Sequence, residues 1–337
     1  MAVNAAASPL APLRTVRDLI RWGASEFVRA GLVYGHGTDN ALDEAFHLVL
    51  WQLKLPFELP AIYLEANLAE DERDAVLALL RQRVQTRKPA PYLTGVAWFT
   101  GLEFEVDERV LVPRSPIGEL IQQHFSPWIG DEPETVLDLC AGSGCIGIAC
   151  AYAFPDAEID LGEIDDDALT LLNRNIARHH LQERVHAAAG DLFEAVAGRR
   201  YDLIVSNPPY VPTAEWAALA PEYRHEPKRA LEAGADGMDI VERILIGAPE
   251  HLSENGVLIC EIGGSQEEFD ARFPGIPVAW PTFERGGDGV FVINRGELQA
   301  WLEASGRVVP KRKPAAKKKP TKSAPAKSAA PKQAKRR

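Results

Sequence analysis

Long apolar runs are missing from these 337 residues: no stretch approaches the roughly 20 consecutive apolar residues of a membrane-spanning helix. The Ala- and Pro-rich start, Ala5 to Pro12, also lacks the basic head and apolar centre of a secretory leader, so a cytoplasmic protein is expected. Cysteine is scarce. Three of the four, Cys140, Cys145 and Cys150, sit five apart in one apolar segment, a spacing that suits neither a zinc site nor a disulfide framework. Reduced, structural cysteines are expected, and no metal site.

Positive charge is lacking too, except at one end. Lys311 to Arg337 holds 12 of the 37 Lys and Arg and none of the 48 Asp and Glu, leaving 25 basic against 48 acidic residues elsewhere. A body that acidic is not built to spread over phosphate backbones, whereas the tail offers RNA an electrostatic contact. The Ala, Lys, Pro and Ser of that end cannot bury enough apolar surface to offset its ordering entropy, so 306–337 is expected to be a disordered basic tail.

What is present is a hydrophobic fraction of 46% with 25% charged residues, enough for a full-sized core in one large or two smaller domains. Helical periodicity dominates the first part. From about Asn40, Leu42, Ala45, Phe46, Val49, Leu50 and Leu53 form a stripe that predicts a core-facing helix. Further helices are predicted near Val16 to Ala30, ending at Gly31, and from about Glu70 to Thr86, stopping before Pro89. Residues 14–88 thus read as a small helical domain with Trp22, Phe27 and Trp51 in its core. Short β-rich runs at Tyr92-Leu93, Val96 to Phe99 and Phe104 to Val106, with turns at Gly95 and Gly101, predict a hairpin linker over 89–112. Beyond it, strands at Thr135 to Leu139, Glu158 to Gly162, Leu203 to Ser206, Gly256 to Ile262 and Val290 to Asn294 alternate with helices. That order predicts an α/β domain over 113–305, its mostly parallel sheet covered on both faces.

Asp138-Leu-Cys-Ala-Gly142-Ser-Gly144-Cys-Ile-Gly147 follows an apolar strand and opens a helix, a setting in which free N–H groups meet a ligand closely. Gly142, Gly144 and Gly147 also satisfy a dinucleotide fingerprint, with Glu163 at the end of the next strand where a carboxylate accepts both ribose hydroxyls. Two acids favour another cofactor over a nicotinamide. Asp138, ahead of the glycines, suits a cationic amino-acid end and would repel a pyrophosphate. Asp191, in Gly190-Asp191-Leu192 after the third strand, is placed for the exocyclic amine of adenine.

Asn207-Pro208-Pro209-Tyr210 follows the strand that ends at Ser206. A planar amide nitrogen is a poor nucleophile because its lone pair is delocalised. Methylating it requires acceptors that hold both N–H bonds while the nitrogen turns tetrahedral. The Asn207 side-chain oxygen and the Pro208 carbonyl can serve, the prolines stiffen the loop, and Tyr210 can pack on the flat amide. No strong base is needed, since the proton becomes acidic only after nitrogen gains positive charge.

Together Asp138 to Gly147, Glu163, Asp191 and the Asn-Pro-Pro-Tyr loop resemble the class I methyltransferases, and 14–305 as a whole resembles the protein-glutamine methyltransferases. Tyr34 to Asn40, Val112 to Glu119 and Glu222 to Pro227 are similar to the branch acting on the third large-subunit ribosomal protein. The resemblance implies a Rossmann-like sheet of seven strands and an all-helical N-terminal domain that recognises the substrate. It implies S-adenosylmethionine bound by Asp138, Ala141, Gly142, Ser143, Gly144, Glu163, Asp191, Leu192 and Asn207, and catalysis by Asn207, Pro208, Pro209 and Tyr210. The acceptor is then a ribosomal protein, met before assembly. Arg114, Ser115 and Glu119 are implied near its glutamine, with a structural ion pair of Arg114 as the alternative. Tyr223, Arg224, His225 and Glu226 are placed at the mouth, with His225 as a loop residue and not a base, and Glu261 supports the catalytic loop. The family's ribose acid is commonly Asp where this chain has Glu163, and the basic tail is outside the family pattern. A release-factor branch and an adenine-N6 nucleic-acid methyltransferase remain as alternatives.

Overall fold

The computed structural model describes residues 13–284 and 286–307. Three helices open it: α1 (Val16–Arg29), α2 (Ala41–Gln52) and α3 (Glu70–Thr86). Thr15 and Asp18 close a capping box on α1, and the Asn40 side chain accepts from the Leu42 and Asp43 amides to start α2. Their shared core holds Leu19, Phe27, Ala45, Leu48, Val76 and Leu80. Phe27 is buried as expected, while Trp22 and Trp51 are half-buried at its edge. The buried face of α2 is rotated from the predicted stripe: Leu42 is 56% exposed, and Ala41, Glu44 and Leu48 are inside. The cause is Arg83 of α3, fully buried, whose Nε donates to Glu44 Oε1 at 2.8 Å and draws that carboxylate into the core.

Tyr92 and Leu93, expected in a β-run, lie instead in a short helix, α4 (Ala90–Thr94), started by Pro89 and Pro91 and stopped by Gly95 in the left-handed conformation. The hairpin follows as predicted, β1 (Val96–Phe99) pairing antiparallel with β2 (Leu102–Glu105). After α5 (Ile117–Gln122) comes the main sheet, built from β3 (Thr135–Leu139), β4 (Glu158–Glu163), β5 (Val185–Ala189), β6 (Tyr201–Ser206), β7 (Leu252–Glu261) and β8 (Val290–Asn294). The strand order is β5-β4-β3-β6-β7-β8, parallel except for β8. Side chains alternate between the faces: Val136, Ile159 and Val205 pack on α5, α6 (Cys145–Ala153) and α7 (Asp166–Arg178). Leu137, Ile204 and Leu258 pack on α9 (Asp239–His251), α10 (Gln266–Arg272) and α11 (Arg295–Ser305), while the short α8 (Thr213–Ala218) stands outside both layers.

The sheet has six strands among the described residues, not seven. Where a seventh would flank β8, a single antiparallel bridge joins Ala279 to Val292. Pro277 and Pro281 bracket that segment and remove the ladder donors a strand requires. Of the residues assigned to the basic tail, Gly306 caps α11 and Arg307 pairs with Glu242 at 2.5 Å; those from Val308 onward lie outside the described residues. Strand order reverses between β3 and β6, which opens a crevice at the carboxyl ends of those strands.

Candidate functional site

Cys140 leaves β3 in the left-handed conformation (φ 64°), and the chain turns through Ala141 to Gly144 into α6. Gly142 also has positive φ, and a Cβ built there would meet nothing, because the loop borders open space. Glu163, at the end of β4, accepts from the Gly142 amide at 2.9 Å and from the Ile164 and Asp165 amides, so its carboxylate is fixed beside the loop. Above it lies a cavity of about 390 Å³, within the roughly 300–1,000 Å³ of small-molecule sites. Ala141, Gly142, Ser143, Glu163, Asp191, Leu192 and Asn207 all line it. Asp191 meets Arg243 at 2.8 Å and Asp165 meets Arg229 at 2.7 Å, two ion pairs along its rim.

Asp138 and Gly144, also expected to touch the cofactor, are in neither cavity wall of the crevice. Asp138 is 1% exposed behind the loop, where it accepts from the Gly147 amide at 2.8 Å and so ties the start of α6 to β3. Burial, with Glu163 nearby, pushes its carboxyl up to about 7, against the pull of the Gly147 amide. Gly144 has positive φ (81°) and faces Leu161 and Leu172, each 3.3 Å from where a Cβ would lie, so backbone and packing both favour glycine.

A second cavity of about 220 Å³ adjoins the first. Tyr210, Leu219, Tyr223 and Leu231 give it an apolar, aromatic lining. Leu111, Arg114, Asn207 and Ala230 belong to both walls, so Asn207 stands where the two spaces meet. Its Nδ2 donates to the Arg114 carbonyl at 3.4 Å, and its Oδ1 makes no hydrogen bond among the described residues. Pro209 lines the first cavity, whereas Pro208 is buried and belongs to neither wall.

Tyr210 is held from behind. Its Oη donates to Glu261 Oε1 at 3.0 Å, and Ser115 Oγ donates to the other carboxylate oxygen at 2.5 Å. Gly263 lies under the ring, where an added Cβ would come within 2.7 Å of Tyr210 Cε2. Burial pushes the Glu261 carboxyl up to about 7 despite the two hydrogen bonds it accepts, and burial beside that carboxylate raises the Tyr210 phenol. Arg114 grips Glu226 through both terminal nitrogens, at 2.6 and 2.7 Å, and Glu226 also accepts from the Val112 amide at 3.1 Å. Burial alone would raise this carboxyl; His36 and Arg114 hold it down at about 2.

Two of the implied substrate residues lie outside both cavity walls. Ser115 reaches Glu261, and Glu119 accepts from the Glu284 amide at 2.9 Å and lines neither wall. His225 closes a short 3-10 turn, Pro221–His225, and is tied to Glu108 and to the Thr86 carbonyl. Arg243 and Leu219 are cavity residues that no local motif marks, and the partnership of Glu226 with Arg114 spans 112 positions. All four cysteines are free, and among the described residues no group of three His, Cys, Asp or Glu is placed to hold a metal ion. No described helix is long and apolar enough to cross a membrane.

Residues 119–236 match the family model of the methyltransferase small domain. A protein of Francisella tularensis named ribosomal protein uL3 glutamine methyltransferase is 47% identical over 294 residues, 87% of this chain and 94% of its own length. One of the same name from Xanthomonas campestris is 51% identical over 289 residues, 86% of this chain and 94% of its own. Among solved structures, a methyltransferase from Pyrococcus furiosus is 20% identical, with a TM-score of 0.43, over 58% of this chain and 89% of its own.

Proposed function

This chain belongs to the ribosomal protein uL3 glutamine methyltransferases, and from that membership we propose that the two joined cavities hold methyl donor and acceptor on either side of Asn207. The enzyme transfers a methyl group from S-adenosylmethionine to the side-chain amide nitrogen of a glutamine in ribosomal protein uL3. The observation that carries the assignment of sides is that Asn207 lines both spaces.

The residues of the larger cavity fit the cofactor. Glu163 is anchored by three backbone amides and keeps lone pairs for a vicinal diol, while Asp191 and the apolar Ile164, Leu192 and Ile240 suit an adenine. Gly142 and its neighbours offer backbone at close range, with Asp138 and Gly144 bracing the loop from behind. When bound, the sulfonium supplies an already activated methyl group, so the protein's task is placement.

In the smaller cavity Leu219, Tyr223 and Leu231 enclose the aliphatic stem of the acceptor glutamine, and the Tyr210 ring lies on its amide. Asn207 Oδ1 and the Pro208 carbonyl accept the two N–H bonds and turn the nitrogen lone pair toward the donor side. Arg114 fixes the Asn207 amide through its backbone carbonyl, which leaves Oδ1 for the substrate. The proton departs to water after transfer, in keeping with a site where His225 is engaged elsewhere. A slot sized for one side chain favours uL3 before assembly, in the cytoplasm, with the helical domain of 14–88 recognising it across the 89–112 linker and the 113–305 domain performing transfer. The RNA contact expected of the basic tail falls on residues outside those described.

The test is to incubate the enzyme with methyl-labelled S-adenosylmethionine and either uL3 or a release factor, and to locate label by peptide mass spectrometry. Label on a uL3 glutamine alone is expected. Label on the release factor alone would overturn the acceptor assignment.

A further inference from the structure

Tyr34 to Asn40 joins α1 to α2 and contributes no residue to either cavity wall, yet it is where the helical layer meets the acceptor side. His36 is 2% exposed. Its ring lies 4.5 Å from that of Tyr223, centroid to centroid, and its Nε2 is 3.5 Å from Glu226 Oε2. Neither ring nitrogen makes a hydrogen bond. Beside it, a Cβ at Gly35 would come within 2.7 Å of Tyr223 Oη, so only glycine lets that hydroxyl lie against the chain. The next acid along is held from the same side: the Val33 amide donates to Glu222 at 3.0 Å, and Arg87 pairs with it at 2.7 Å.

Both residues that His36 touches belong to the acceptor apparatus. Tyr223 lines the smaller cavity, with the Arg114 guanidinium 5.6 Å from its ring centre. Glu226 anchors Arg114, whose carbonyl in turn receives the Asn207 amide. A domain serving only to catch uL3 has no need of a buried, otherwise unpartnered imidazole aimed at this pair.

Resting on the transfer reading above, we propose that His36 is a positioning residue for methyl transfer, through which the N-terminal helices set Tyr223 and the Glu226–Arg114 pair and thereby the Asn207 amide. The helical layer shapes the chemical step as well as recognition. A displacement of about 1 Å in a reacting group can cost about a hundredfold in rate, so loss of this wedge is felt in turnover, while the Gly142 loop, Glu163 and Asp191, which His36 does not touch, keep the rest of the cofactor wall in place.

The experiment uses the full chain and compares wild type, His36→Ala and His36→Gln in single-turnover methylation of full-length uL3 at saturating acceptor, with KM for uL3 and the cofactor Kd measured beside it. For His36→Ala the transfer rate is expected to fall about ten- to a hundredfold, with KM and cofactor Kd near wild type. Partial recovery is expected in His36→Gln, whose amide can donate to Glu226. If His36→Ala unfolds, His36→Gln alone is read against wild type: a lower rate at unchanged cofactor Kd supports the proposal, and an unchanged rate overturns it. A raised KM with an unchanged saturating rate would reduce His36 to a docking contact and overturn the proposal, as would no change at all. Failure of the wild type to label uL3 would instead overturn the transfer reading itself.

Discussion

Asn207, on the loop after β6, donates its side-chain amide to the backbone carbonyl of Arg114, ahead of α5, at 3.4 Å. One side of the Asn207 amide is thereby committed to the protein, and the other side is left to accept from a substrate. Because Arg114 is itself clamped by Glu226 at 2.6 and 2.7 Å, the orientation of the side chain proposed to hold the substrate amide depends on an ion pair at one remove from it.

Replacing that clamp weakens transfer without harming the donor side. Arg114→Lys keeps the charge but cannot grip both Glu226 oxygens in a planar fork. We expect a fall in kcat of about tenfold, in line with a mis-set catalytic group, and a cofactor Kd within about twofold by calorimetry. An equal loss in cofactor binding would show that Arg114 acts through the larger cavity, which it also lines, and not through Asn207.

Tyr210 offers a graded series. Tyr210→Phe loses the bond to Glu261 but keeps the ring, whereas Gly263→Ala drives a methyl into the ring at a built distance of 2.7 Å. The glycine variant should lose more kcat than the tyrosine variant, although it changes no functional group. The reverse order, measured at saturating uL3, would show that the hydroxyl matters more than the ring's position.

Stability of the helical layer rests on a buried charge. Arg83 is fully buried between Glu44 and Glu222, at 2.8 and 3.9 Å. Arg83→Ala leaves Glu44 buried without its cation, while Glu222 keeps Arg87 at 2.7 Å, and should cost about 3–5 kcal/mol in denaturant unfolding. A loss under about 1 kcal/mol would mean that the pairs behave as exposed ones do.

The pH dependence of cofactor-free stability tests Asp138. Burial lifts its carboxyl to about 7 in the fold, above the roughly 3.9 of an unfolded chain. With the folded value raised, the contribution to stability is full below about pH 4 and is lost as pH rises toward 7. Glu226, held at about 2, works the other way: its contribution is present above its unfolded value and lost as pH falls toward 2. Asp138→Asn, which stays neutral, should therefore gain on wild type by a few degrees in Tm between pH 5 and pH 8. An offset that does not change with pH would contradict the buried, raised carboxyl.

Periodicity and turn chemistry carry the layers, the parallel sheet and the crevice, because those features depend on residues close in the chain. The loop after β3, Glu163, Asp191 and Asn207, which the structure brings to one cavity, stood out for the same reason, each sitting at or just after the end of a strand. Part of what escaped depends on distant partners, and part on a backbone course that the residue types alone do not show. The burial of Glu44, and with it the register of α2, follows from Arg83, 39 positions away. Asp138 reads as a ligand-facing acid from its place before the glycines, but the Gly147 amide turns it behind the loop. Pro277 and Pro281 explain the missing seventh strand once the bridge at Ala279 is seen, although the segment between them is apolar enough to suggest one.

The most direct test of the account is Asn207→Ala, with the cofactor Kd from calorimetry set against the single-turnover rate of methyl transfer to uL3. The position of Asn207 in both cavity walls predicts a transfer rate reduced at least about a hundredfold and a cofactor Kd within a few-fold of wild type. Loss of cofactor binding in proportion to loss of transfer would place Asn207 in the donor cavity alone and contradict the role assigned to it.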